Sequence, residues 1–205
     1  MLYGEVPQSG GFKFTNRNPP KTALVRLPTS AEMIERINRQ KTIRNSIGRG
    51  KWQSDLVPNP EADLKLFEAL RLDKDGEKFS AAECRAAILK FTAADVLSSE
   101  RVVEGYVITL RTPFGDLSHT VREPFEDEMF EYGRTNFAST DLRHGREELA
   151  WRADAAVKLY DLVFKSAEGY AAGYDVPAHH KFAVAGELAQ AVAELDPQIE
   201  LGPNS

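Results

Sequence analysis

The chain predicts an α+β fold in which helices predominate, built from an internally duplicated unit of one β-hairpin and three helices. Three observations predict it. Val25-Arg-Leu-Pro-Thr-Ser-Ala-Glu-Met-Ile-Glu35 is echoed by Val121-Arg-Glu-Pro-Phe-Glu-Asp-Glu-Met-Phe-Glu131, identical at six of eleven positions. Gly48-Arg49 and Ala62-Asp-Leu-Lys-Leu-Phe-Glu-Ala-Leu70 are answered, in the same order, by Gly145-Arg146 and Ala155-Ala-Val-Lys-Leu-Tyr-Asp-Leu-Val163. Upstream, Phe12 and Phe14 fall opposite Ile108 and Leu110. Self-similarity at a nearly fixed spacing is the mark of a repeated structural unit. The copies span 12–98 and 104–195, with 1–11 and 196–205 as flexible termini. A lone hairpin is marginal in water, so the two hairpins are expected to join across a pseudo-two-fold axis.

Each element has a local reason. Phe12 to Thr15 and Thr22 to Leu27 alternate at period two around a Pro-containing loop, and so read as a hairpin. Glu104 to Arg111 and Leu117 to Arg122 repeat the pattern around Thr112-Pro-Phe-Gly-Asp116. Pro28 with Thr29 or Ser30, and Glu32 just after, is a helix start with acid in the first turn. Met33, Ile37, Ile43 and Ile47 extend that helix to Gly48 or Gly50, and Met129, Phe130 and Phe137 do the same in the second copy. Asn59-Pro60-Glu61 opens the next helix, whose counterpart runs from about Glu147 to Phe164. A third helix follows in each half, from Ser80 to about Leu97 and from Ala178 to Leu195.

Composition bounds the class. Of 205 residues, 42% are hydrophobic and 28% charged, as in ordinary globular proteins. No apolar run is long enough to span a bilayer, no secretory signal opens the chain, and the one cysteine, Cys84, cannot form an intramolecular disulfide. A cytoplasmic protein with no membrane association is expected. The net charge of −5 is unevenly shared. Residues 1–100 hold 16 basic and 13 acidic side chains, whereas 101–205 hold 10 and 18. Halves of opposite sign attract, within one chain or between chains packed head to tail.

Candidate sites follow from clusters. Arg36, Arg39, Lys41, Arg44, Arg49 and Lys51 would make a basic helix over 36–51, able to follow a nucleic-acid backbone or hold a phosphate. Its counterpart is acidic (Glu123, Glu126, Asp127, Glu128, Glu131), so contact between the halves is the competing explanation. Asp73, Asp75, Glu77 and Glu83 resemble an EF-hand over 73–83, but the loop is one residue short. Ser80 and Glu83 also make a capping box. Arg26 and Arg122, and Arg49 and Arg146, recur as structural forks. Trp52 and Trp151 follow the Gly-Arg pairs and suit an interface. His119, His144, His179 and His180 lack zinc-ligand spacing, and no G-x-S-x-G, Walker or Rossmann fingerprint occurs. The chain reads as non-enzymatic, with no cofactor and no metal.

The stretch Arg26-Leu-Pro-Thr-Ser-Ala-Glu-Met-Ile-Glu-Arg-Ile-Asn-Arg-Gln-Lys-Thr-Ile-Arg-Asn-Ser-Ile-Gly-Arg-Gly50, with its echo from Arg122 to Arg146, resembles openings of small tailed-phage proteins. It is most similar to the tail assembly chaperones encoded near tail-tube and tape-measure genes. That resemblance implies a mostly helical, non-catalytic protein that coats an aggregation-prone partner until assembly, in the host cytoplasm or associated with the virion. A protein partner, such as a phage tail protein, and self-association are therefore expected, with Arg36, Arg39, Arg44, Arg49, Trp52, Arg146 and Trp151 as candidate contact residues. The alternatives are a nucleic-acid or phosphate binder using 36–51 and a degenerate calcium module at 73–83.

Overall fold

A short hairpin opens the chain: β1 (Gly11–Phe14) pairs antiparallel with β2 (Lys21–Leu24), Phe12 opposite Ala23. The structure, a computed structural model, describes residues 2–3, 11–14, 21–48, 51–73, 77–143 and 145–193. Helix α1 (Ser30–Asn38) follows, then a second hairpin of β3 (Lys41–Gly48) and β4 (Lys51–Val57), and helices α2 (Pro60–Leu70) and α3 (Ala81–Phe91). The second half adds a strand, β5 (Asp95–Val102), before β6 (Gly105–Thr112) and β7 (Gly115–Val121). Helix α4 (Glu126–Thr135), strands β8 (Phe137–Arg143) and β9 (Arg146–Trp151), helix α5 (Ala153–Val163), strand β10 (Phe164–Glu168) and helix α6 (Ala178–Ala193) complete it. The fold is mixed, with six helices and two four-stranded antiparallel sheets among the described residues.

The expected helix from 30 to 50 is therefore wrong: it stops at Asn38, and Ile43 and Ile47 lie on a strand. Phe137 likewise opens a strand, and the helix expected from Glu147 begins only at Ala153. Helix α3 ends at Phe91, and the stretch to Leu97 enters β5. The hairpins expected to join do not. Strands β1 and β2 form a sheet of their own, and β6 and β7 lie inside the sheet β10-β7-β6-β5. Two other hairpins join instead, in the order β4-β3-β9-β8. The inner contact is between the first strand of one hairpin and the second strand of the other. A two-fold axis in the sheet would bring like strands together, so the join runs head to tail.

Each half packs a core of its own. Val25, Met33, Leu66, Phe67, Leu70 and Ile88 centre the first. Val121, Leu159, Tyr160, Val163, Val184 and Leu188 centre the second. Met33 is fully buried, whereas Met129 is only half-buried against the second core. Tyr3, placed by sequence in a loose arm, is instead fully buried in the second core, with its backbone bonded to Gly169 and Ala171. Residues 196–205 lie outside the described residues.

The two halves repeat their backbone settings at corresponding places. Thr29 and Phe125, before α1 and α4, have φ/ψ of −72°/159° and −73°/159°. Asn59 and Arg152, before α2 and α5, have −114°/86° and −125°/91°. Arg71 and Phe164, ending those helices, have −65°/135° and −60°/134°, and each pairs with the equivalent valine, Val25 or Val121.

A single arginine explains much of this in each half. Arg26 makes a bidentate pair with Glu32 (2.9 and 2.6 Å) and also donates to the carbonyls of Leu27 and Ala69. Arg122 does the same with Glu128 (2.8 and 2.6 Å), Glu123 and Leu162. The planar guanidinium suits this fork, tying strand exit, helix start and the C-terminal carbonyls of the next helix at once. Glu32 also accepts from the Thr29 N–H, and Glu128 from the Phe125 N–H, each at 2.8 Å. The Arg26 pair, acting against the burial that would raise it, holds the Glu32 carboxyl down at about 2.

Candidate partner-binding surfaces

The sheet β4-β3-β9-β8 is the first surface to consider. Lys41 sits opposite Ala150, Ile43 opposite Glu148 and Asn45 opposite Arg146. The seam is closed by charge as well as by the backbone ladder. Lys41 meets Glu148 at 2.5 Å and Arg44 meets Glu147 at 3.8 Å, basic residues of the first half against acidic residues of the second. The expected attraction between the halves is thus made by strands rather than by helices. At the base, Trp151 donates to the Thr42 hydroxyl (2.9 Å) and its ring meets Phe137 and Phe182 edge-on, while the Ala153 N–H is capped by Asn38.

Only Thr42 and Leu149 of this sheet are buried among its described side chains. Beyond them the strands run out towards both hairpin turns, and no described side chain there is fully buried. Gly145 turns the second hairpin with φ +70°, a conformation glycine takes without steric cost, and its carbonyl accepts from the Ser46 N–H. Ile47 near the tip is 61% exposed, and Leu142 is also exposed.

The second surface comprises two grooves of matching construction. One lies between α1 and α2, lined by Glu32, Glu35, Arg36, Lys65 and Ala69. The other lies between α4 and α5, lined by Glu128, Glu131, Tyr132, Lys158 and Leu162. Their floors differ. Arg36 is buried and bonded to buried Asp63 (2.9 Å), which Arg85 also approaches at 3.7 Å. The residues one turn into α4 and α5 at the same places are Tyr132 and Ala156, both buried.

The expected contact residues are dispersed by this geometry. Arg36 is part of the core, Arg39 ends α1 and pairs with Glu35 (2.8 Å), and Arg44 lies on the seam. A basic helical face over 36–51 therefore does not exist, and four of its cations are balanced by carboxylates. Arg146 begins β9 and is exposed. Trp151 stitches the halves, while Trp52 opposes Ser46 near the turn, so the two tryptophans do not hold equivalent places. Arg49 lies outside the described residues, as do Asp75 and His144. Glu83 and Ser80 form the capping box, and Asp73 pairs with Arg71, so these three serve helix α3 and its approach. Among the described residues no cluster of metal ligands occurs. Cys84 is fully buried, and burial raises its thiol to about 11.

One feature has no local signature in the sequence, a chain of histidines and tyrosines through the second core. His119 on β7 bonds Tyr160 through Nδ1 (2.9 Å) and Tyr170 through Nε2 (3.0 Å). The Tyr170 hydroxyl bonds His180 Nδ1 (2.9 Å), and the His179 ring lies 4.2 Å from that of His180. Burial, above all, lowers His119 to about 4, His179 to about 3 and His180 to about 2. All three are neutral at pH 7, so the Tyr170 hydroxyl can donate to one of its two ring nitrogens while accepting from the other. The cluster joins β7, α5, α6 and the loop at Tyr170, and acts as a polar core for the second half.

No family model, no curated protein and no solved structure matches the chain. No helix among the described residues is long and apolar enough to cross a membrane.

Proposed function

We propose that the protein is a non-enzymatic assembly or structural accessory protein, of the kind tailed phages and prophages use, and that it works by binding protein partners. The observation that carries this reading is the sheet β4-β3-β9-β8, which extends beyond the core with exposed apolar side chains near its tip. The outer part of the sheet, where no described side chain is fully buried, lacks the burial that normally stabilises strands, so a partner laid on it supplies what the chain itself does not.

The scaffold under it is a duplicated unit of hairpin, helix, hairpin, helix and helix, with β5 and β10 added in the second half. The matched Arg26 and Arg122 clamps, the matched cap angles and the matched grooves support this duplication. The two copies are related head to tail rather than by a two-fold. A nucleic-acid role for 36–51 is disfavoured by the ion pairs that neutralise its cations.

The test is co-expression with the proteins encoded beside this one, followed by purification. Ile47→Asp combined with Leu142→Asp is expected to cut recovery of the partner by roughly tenfold or more, as loss of an apolar anchor does. Recovery unaffected by the pair of changes would contradict the reading.

A further inference from the structure

We infer that the chain assembles with further copies of itself, head to tail, by repeating between chains the seam that joins its own halves. The inference rests on the proposed duplication. The internal seam joins β3 to β9. The base pair of the first hairpin is Lys41 opposite Val57, and that of the second is Phe137 opposite Trp151, so β8 corresponds to β3 and β4 to β9. The strands left at the sheet edges are β8 and β4. These are the two counterparts of the strands already joined. An edge of one chain therefore offers what the opposite edge of the next chain needs, and the alternation of strand directions continues unbroken.

Carrying the internal register across places Phe137 opposite Leu56 of the next copy, Ser139 opposite Ser54 and Thr140 opposite Gln53. No like charges face each other. Edge strands are usually guarded by inward lysines or proline. Strand β8 contains neither, and β4 has one lysine, at its turn end.

The helices supply an independent observation. Beside the internal seam, Ile34 on α1 and Val157 on α5 line one groove, and both are half-buried. Their counterparts are Phe130 on α4 and Leu64 on α2, which are 72% and 38% exposed. A second copy docked through the same seam brings Phe130 of one chain against Leu64 of the next. The polar pairing of Trp151 with Thr42 becomes the apolar pairing of Val57 with Ala138, and Val57 is at present 37% exposed. Because the two faces differ, the contact does not cap itself and leads to a ring or a filament.

The test uses the full chain and two variants, followed by sedimentation and mass photometry. One variant, Phe130→Glu with Thr140→Lys, spoils the β8 end. The other, Leu64→Glu with Gln53→Lys, spoils the β4 end. All four sites are exposed, and thermal melts check that the variants stay folded. The unmodified chain is expected to form species larger than a dimer at tens of micromolar. Each variant alone should run at the monomer mass of 22.8 kDa, and an equal mixture should give a dimer and nothing larger. An unmodified chain that stays monomeric, or oligomers that survive in either variant, overturns the inference. If the chain is monomeric yet still recovers a neighbouring-gene product through Ile47 and Leu142, only this inference falls and the partner-binding reading stands.

Discussion

The α1–α2 pair and the α4–α5 pair share their cap angles and clamp distances but differ in the chemistry of the floor between them. Four residues after the clamped glutamate stands Arg36 in one and Tyr132 in the other, and four residues after the helix cap stands Asp63 or Ala156. In the first half a buried ion pair occupies the floor, and in the second the buried Tyr132 and Ala156 stand at these positions. The Arg26 and Arg122 clamps, by contrast, keep nearly identical distances. The difference teaches that matching clamps at the helix ends are compatible with a floor that is a buried ion pair in one half and apolar in the other.

That comparison is broken most severely at Arg36. Arg36→Ala leaves Asp63 charged and buried beside a cavity, and such a loss costs about 3–5 kcal/mol. Transplanting the other half's solution, Arg36→Tyr with Asp63→Ala, is expected to bring stability back to within about 1 kcal/mol of the parent, because apolar replacements of buried pairs are often neutral. Urea denaturation distinguishes the outcomes; a double variant as weak as the single one would mean the floors are not interchangeable.

Acid is the next probe, because only the second half buries histidines. A histidine whose folded value lies below its unfolded value binds protons more readily when unfolded. Stability is then full above about 6.5 and falls as pH drops towards the folded value, about 4 for His119. At pH 5 the loss is about 2 kcal/mol for each such histidine. Denaturation midpoints at pH 7 and pH 5 should therefore differ strongly, and His119→Gln should lessen the difference. Equal midpoints would show the rings to be accessible to protons in the folded protein. The Glu32 clamp titrates in a separate window, its contribution present above about 4.5 and lost towards about 2.

The mildest test sharpens the likeness of the halves. Arg26→Ala and Arg122→Ala each remove a bidentate pair that is partly exposed, so about 1–2 kcal/mol is expected from each. Arg122, 27% exposed against 38% for Arg26, should sit at the upper end. A loss at one position only would argue that the clamps are not equivalent.

The elements that sequence could disclose are those whose burial has a period. Ile108 and Leu110 alternate with less buried neighbours because one face of the β6–β7 hairpin is covered. Thr29 with Glu32, Ser80 with Glu83 and Asn59-Pro60 announce helix starts through donors that need acceptors. The stretch 43–48, the position Phe137 and the stretch from Glu147 imitate helix because no described side chain in the outer part of the sheet is fully buried, so no alternation betrays a strand. The four-residue interval between Ile43 and Ile47 then imitates a helical stripe. A signal was nonetheless present: Gly48-Arg-Gly-Lys51 and His144-Gly145 suit a hairpin turn as well as a helix end. The Arg26 and Arg122 repeat was legible as a structural fork, whereas the chain from Tyr160 to His180 joins residues too far apart in sequence for any local pattern to connect. Arg36 was placed among contact residues because a buried arginine looks no different from an exposed one until Asp63 is brought beside it.

The head-to-tail join of the halves is the feature from which the assembly proposal follows. Cross-strand nuclear Overhauser contacts in labelled protein test it most directly. Contacts linking β3 to β9, in the register from Lys41 opposite Ala150 to Asn45 opposite Arg146, are the predicted result. Contacts linking β3 to β8, or β4 to β9, would mean that like strands meet about a two-fold axis and would contradict the account.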